Sequence, residues 1–128
     1  MERMLPTVLL VLFAAGTTAQ APVDPEGTLQ NYTRTGERES CIPLRQIRNT
    51  QILDSTRILV FALDGSVYLN ELPQPCVSLN PHRAFKYDTS LSRLCDVDII
   101  TVFQPGPPVL EMGSCGLGQF ELLKKRSP

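Results

Sequence analysis

Residues 57–63 read RILVFAL, residues 66–72 read SVYLNEL, and Asp64-Gly65 stands between them. Two β-prone runs joined by Asp-Gly are a strong local signal for a β-hairpin. The signal here is for a two-residue turn with positive φ at both central positions. The first run is apolar on both faces, with Ile58, Val60 and Ala62 alternating against Leu59, Phe61 and Leu63. Such a strand has to be central and covered on both sides. That requirement sets the class of fold.

The rest of the chain supplies short pieces of the same kind. Residues 41–47 and 50–53 read as two short strands interrupted near Arg48 and Asn49. Pro73, Pro75 and Pro81 break the chain into a loop through Cys76 and His82. Residues 84–87 predict a short strand and residues 89–94 a single helical turn. Residues 96–103 (DVDIITVF) form a second strong strand signal, ended by Pro105-Gly106-Pro107-Pro108, and residues 119–123 a closing strand. There is no internal repeat and no long helical pattern. The expected class is all-β and mainly antiparallel. It is a small disulfide-stapled sandwich or open barrel of six to seven short strands, with at most one or two helical turns. A chain of 128 residues has room for one such domain.

The N-terminus predicts export. Residues 5–15 (LPTVLLVLFAA) are an apolar run preceded by Arg3 and followed by small residues. The run is too short for a membrane span, which needs about 20 apolar residues, and it fits the core of a secretory signal peptide. Two small-residue cleavage sites are available, after Ala19 and after Ala21. Cleavage after Ala21 would put Pro22 directly beyond the scissile bond, so Ala19 is preferred and residues 1–19 form the signal peptide. No cysteine follows the run that could carry a lipid anchor. The expected product is periplasmic or secreted, with no transmembrane anchor after cleavage. Residues 20–40, rich in proline, glycine and polar side chains, read as a flexible leader with a weak strand near residues 29–33. Within them Asn31-Tyr32-Thr33 has the form of an N-glycosylation site, relevant only to a eukaryotic secretory pathway. The β-rich domain is expected over residues 41–123, with residues 124–128 a basic tail.

Export governs how the four cysteines are read. Cys41, Cys76, Cys95 and Cys115 are an even set in an oxidising compartment, which reads as two disulfides with three possible connectivities. No Cys-x-x-Cys occurs, so neither a zinc site nor a redox pair is supported. The preferred pairing is Cys41 with Cys115, tying the opening strand to the closing one, and Cys76 with Cys95, stapling the middle loop.

Several segments together resemble a family of small exported bacterial proteins known as a domain of unknown function. They are Cys41-Ile42-Pro43-Leu44-Arg45, the Asp64-Gly65 hairpin with Val67-Tyr68-Leu69-Asn70 and a Leu72-Pro73 exit, residues 90–102, and Ser114-Cys115-Gly116-Leu117-Gly118-Gln119-Phe120. The resemblance spans about residues 41–121. It implies a cell-envelope location and a four-cysteine framework, and it carries over no activity and no catalytic residue.

Composition narrows the chemistry. The chain is 42% hydrophobic and 20% charged with a net charge of −1, which fits neither a disordered chain nor a basic nucleic-acid binder. It has one histidine and no tryptophan. Asp96 and Asp98, at i and i+2 of a strand, would share one face roughly 6.5–7 Å apart. They would serve either as an acid–base or cation-binding pair or as the solvated start of that strand. His82 lies in the loop 80–83, where a catalytic imidazole is conceivable but no activated nucleophile accompanies it. Arg45, Arg48 and Arg57 are candidates for an anion-contacting face. The first two need a bulge to lie on the same side, and a charged sheet edge that keeps neighbouring molecules from pairing is the favoured role. Gly116-Leu-Gly118 lacks the strand-before, helix-after context of a phosphate loop. No metal or cofactor is expected.

The leading expectation is a non-enzymatic binding or structural module of the bacterial envelope. Its partner would be a protein or other envelope component, met through Tyr68, Tyr87 or the arginine face. The alternative is a small hydrolase or cation-dependent enzyme built on Asp96 and Asp98 with His82 assisting.

Overall fold

The computed structural model describes residues 24–89 and 91–127. In chain order its elements begin with a short helix α1 (Pro25–Leu29), β1 (Tyr32–Glu39), β2 (Cys41–Pro43), a 3-10 turn (Leu44–Gln46) and β3 (Ile47–Ile52). The hairpin strands β4 (Arg57–Ala62) and β5 (Val67–Glu71) follow, then β6 (Ala84–Tyr87), β7 (Arg93–Cys95), β8 (Ile99–Gln104), β9 (Leu110–Gly116) and β10 (Phe120–Lys125). The strands form three open antiparallel sheets, ordered β1-β10-β5-β4-β3, β6-β8-β9 and β2-β7. The mainly antiparallel all-β class is as the sequence predicts. The strands number ten among the described residues instead of six to seven, because the exposed edge strands β1 and β9 and the three-residue pair β2 and β7 carry little apolar alternation. Among the described residues no helix is long and apolar enough to cross a membrane. The apolar run and the cleavage sites lie outside the described residues.

The two-faced apolar pattern of β4 finds a cover on each side. Ile58 and Val60 join Ile100 and Val102 of β8, Phe120 of β10 and Leu117 in the main core, between the five-stranded sheet and the smaller sheets. Leu59 faces the opposite way and packs with Leu53, Leu69 and Leu123 in a second core. The lid of that second core comes from Leu29 of α1 and Tyr32 of β1.

The expected flexible leader is therefore corrected from residue 25 onward. Pro25 starts α1, at a position whose missing N–H costs the helix nothing, and β1 pairs with β10 from Tyr32↔Lys125 to Glu39↔Phe120. The basic tail is corrected in the same way, since Lys124 and Lys125 belong to β10. These segments look irregular in sequence because β1 is an edge strand with charged, exposed side chains.

The hairpin forms at the predicted place with a different turn. The Ser66 carbonyl accepts from the Ala62 N–H at 2.8 Å, and the Ala62 carbonyl from Gly65 N–H at 3.1 Å. Only Gly65 takes positive φ, at 90°, so the loop has three residues with glycine in the left-handed position. Asp64 Oδ1 accepts the Ser66 N–H at 2.9 Å, fixing the turn. Leu63 is left at the tip, 65% exposed, instead of inside the strand.

Both disulfides exist, and the expected pairing is corrected. Cys41 bonds Cys95, and Cys76 bonds Cys115. β2 lies antiparallel to β7 with Cys41 directly opposite Cys95, Cα atoms 4.0 Å apart. Cys115 sits in β9 opposite Ile100, on the core side, where the turn after β5 delivers Cys76. The pairing follows strand registers that the spacing of cysteines does not reveal.

Candidate functional site

The sequence-predicted acidic pair does not lie on a strand. The expected helical turn at 89–94 ends in strand β7, and residues 96–98 make the turn between β7 and β8. The Asp98 carboxylate accepts the Cys95 N–H at 2.7 Å, and the Asp98 N–H donates to the Cys95 carbonyl at 3.0 Å. This is an aspartate that closes its own turn. Asp96 is held by its backbone N–H, which donates to the Ser40 carbonyl at 2.8 Å. The two aspartates are thus not at i and i+2 of a strand, and one carboxylate is already occupied.

His82 occupies an exposed turn of its own. Asn80 Oδ1 accepts the His82 N–H at 2.9 Å, and the Asn80 carbonyl accepts the Arg83 N–H at 3.0 Å, with Pro81 at the position that favours its fixed φ. Among the described residues, no group of three or more His, Cys, Asp or Glu side chains is placed to hold a metal ion.

The three arginines are likewise separated in role. Arg57 is committed to acids. Its Nε and Nη2 donate to Asp54 Oδ2 at 2.8 and 2.6 Å, and Nη2 also meets Glu26 Oε1 at 2.8 Å. This contact ties α1 to the hairpin. Burial pushes the Asp54 carboxyl up, but hydrogen bonds from Arg57 and Thr56 outweigh it and hold Asp54 below its usual range. Arg45 lies in the 3-10 turn, off the strand. Arg48 is the extra residue of a bulge where Ile47↔Ala62 steps to Asn49↔Phe61. A bulged, charged residue on the edge strand β3 is a device against strand addition. Tyr68 and Tyr87, expected as contact residues, are half-buried against the main core.

A stronger ionic cluster escapes the sequence reading because half of it lies in the supposed leader. Glu121 of β10 is 5% exposed. It accepts from Arg34 Nε at 3.1 Å to each oxygen and from Arg34 Nη2 at 2.6 Å. Arg34 also meets Glu71 Oε1 at 2.6 Å, and Arg38 lies 3.8 Å from Glu121. The hydrogen bonds from Arg34 hold Glu121 below the usual carboxylate range, against the opposing pull of burial. These contacts bind β1, β10 and β5 together, and each charge in them is answered by a partner.

Among the described residues, five of the eight exposed large hydrophobic side chains, Val97, Ile99, Val109, Leu110 and Met112, lie on β8 and β9 or in the turns beside them. Val97 is 84% exposed in the turn before β8, and Ile99 on β8 and Leu110 and Met112 on β9 are exposed as well. Val77, beside the Cys76–Cys115 bridge, is 94% exposed. The single charge on β9 is Glu111, whose carboxylate meets Lys86 Nζ of β6 at 2.7 Å across the outer face of the sheet. Each face of the five-stranded sheet carries a buried cluster, whereas no described element packs on the outer face of β6-β8-β9. The sequence signal for this surface was present, since residues 109–112 (VLEM) follow a proline stop with no alternation to place them inward. No protein-family model, curated protein or solved structure matches this chain.

Proposed function

We propose that the protein is an exported, disulfide-stapled β domain of the bacterial cell envelope. On this reading it belongs with the small exported proteins it resembles and works by binding an envelope component. The observation that carries the reading is that most of the exposed large apolar side chains among the described residues lie on β8, β9 and the turns beside them, next to a sheet face that no described element covers. Chains that expose such residues together commonly use them for recognition. The N-terminal apolar run and the two disulfides support export into an oxidising compartment. The enzyme alternative is disfavoured by the use of the Asp98 carboxylate as a turn closure.

The test is fractionation of cells expressing the precursor, with a photo-crosslinking residue placed at Val97 or Ile99. The expected result is an oxidised product starting at Gln20 in the envelope fraction, forming a discrete adduct there. A protein retained with its N-terminal run in the cytoplasm, or one forming no adduct from either position, would overturn the reading.

A further inference from the structure

The four long or exposed edges of the two larger sheets are not protected equally. β1 carries Arg34, Glu37, Arg38 and Glu39 and a register break around Gly36. β3 carries the Arg48 bulge, and β6 has only four residues, including Lys86. These are the usual defences of an edge strand. β9 is seven residues long, with every residue but Cys115 exposed, and has neither lysine, arginine nor proline. Its one acid is neutralised within its own sheet by Lys86.

The ladder to β8 fixes which backbone groups of β9 are free. The Leu117 N–H donates to the Asp98 carbonyl at 3.1 Å, and the same register places Cys115 opposite Ile100. Antiparallel alternation then turns the N–H and C=O groups of Ser114 and Gly116 away from β8. Both residues are small. A Cβ built on Gly116 meets no atom within 4 Å, so a side chain can be placed there without a clash in the single chain.

We infer that β9 pairs antiparallel with β9 of a second copy, about a two-fold axis at Cys115. The Ser114 backbone of each copy exchanges hydrogen bonds with Gly116 of the other, and two three-stranded sheets become one of six strands. A second copy fits better than an unrelated strand because the segment is its own complement. Residues 113–116 carry no charge to repel across the axis, and the chain's net charge of −1 gives little long-range repulsion between copies. The Cys76–Cys115 bridge anchors the strand in advance, so little ordering is lost on pairing. Ile99, opposite Gly116 in register, would lie beside the partner's Ser114 and lose part of its exposure.

The inference is independent of the envelope-binding reading, and one set of measurements separates them. Sedimentation equilibrium of the oxidised protein over a wide concentration range is compared with Gly116→Lys and Ser114→Pro. The first adds charge where space is open. The second deletes an outward N–H while sparing the ladder to β8. The expected result is a wild-type dimer whose dissociation constant rises at least roughly tenfold in both variants, with denaturation midpoints showing that each still folds. A wild-type monomer at every concentration, or a dimer that both folded variants form equally well, would overturn it. A monomer that still forms the envelope adduct would sink the dimer alone.

Discussion

Asn70 and Gly118 exchange two hydrogen bonds. Asn70 Nδ2 donates to the Gly118 carbonyl at 2.7 Å, and the Gly118 N–H donates to Asn70 Oδ1 at 2.9 Å. The side chain is 1% exposed and serves as a piece of backbone, pairing β5 with the chain as it enters β10. The approach is so close that a Cβ on Gly118 would collide with the Glu71 carbonyl. Asn70→Leu keeps the volume and strands both Gly118 groups, so a loss of about 2–4 kcal/mol is expected in chemical denaturation. Gly118→Ala should cost at least as much, because the obstacle is backbone.

Acid should weaken the fold through Glu121 and Asp54. Both carboxyls are held below their usual range in the folded chain. Their contribution is complete above the unfolded values near 4 and is lost as pH falls through the folded ones. Stability from denaturant midpoints should be flat near neutrality and fall below about pH 4.5. Glu121→Gln should lower stability at neutral pH by about 1–2 kcal/mol, discounted for the half-exposed Arg34, and should flatten the acid limb. An unchanged acid limb in Glu121→Gln would show that the pair contributes nothing.

A chain beginning at Ser40 should not retain the stability of the longer protein. It lacks β1 and α1, and so uncovers Leu59, Leu69 and Leu123 and strips Arg34 from Glu121. At roughly 25 cal/mol per Å² of re-exposed apolar surface, several kcal/mol are at stake. Equal midpoints for the two chains would return residues 24–39 to the status of a loose leader.

Peptide mapping without reductant should recover Cys41 joined to Cys95 and Cys76 joined to Cys115. For loops of 54 and 39 residues the chain-entropy account gives each bridge about 4 kcal/mol. Removing Cys76 and Cys115 together as alanines should lower stability by an amount of that order. Recovery of a Cys41–Cys115 peptide would contradict the strand registers.

Asp98→Ala should cost about 1 kcal/mol by freeing the Cys95 N–H, and Asp96→Ala should stay within about 0.5 kcal/mol of wild type. A hydrolytic activity abolished equally by both changes, in folded variants, would reinstate the enzyme alternative.

The legible parts of the fold were those where local pattern and tertiary role agree. The run 57–63 announces a doubly covered strand because both of its faces are buried, and Asp64-Gly65 announces the hairpin because Gly65 has to turn left-handed. β1 and β9 were not legible, since exposed edge strands carry the charges and glycines of loops. Asp96 and Asp98 looked like the start of a strand because their alternation with Val97 continues into Ile99. The register of β2 on β7 instead ends the strand at Cys95 and spends the next three residues on a turn. The disulfide pairing was out of reach for the same reason. It depends on which strands become neighbours, and the four cysteine positions are silent on that.

The two bridges interleave, for Cys76 lies inside the span closed by Cys41–Cys95 and Cys95 inside that closed by Cys76–Cys115. Synthesis releases Cys41 and Cys76 ahead of both their partners. The first bond the emerging chain can close is therefore one the finished molecule does not contain. Oxidation in order of appearance yields a chain that has to be reshuffled by thiolate attack, on a scale of seconds to hours without a catalyst. For a chain oxidised as it emerges, maturation depends on timing as well as on sequence: Cys41–Cys95 can close only once β7 has arrived, and Cys76–Cys115 only once β9 has.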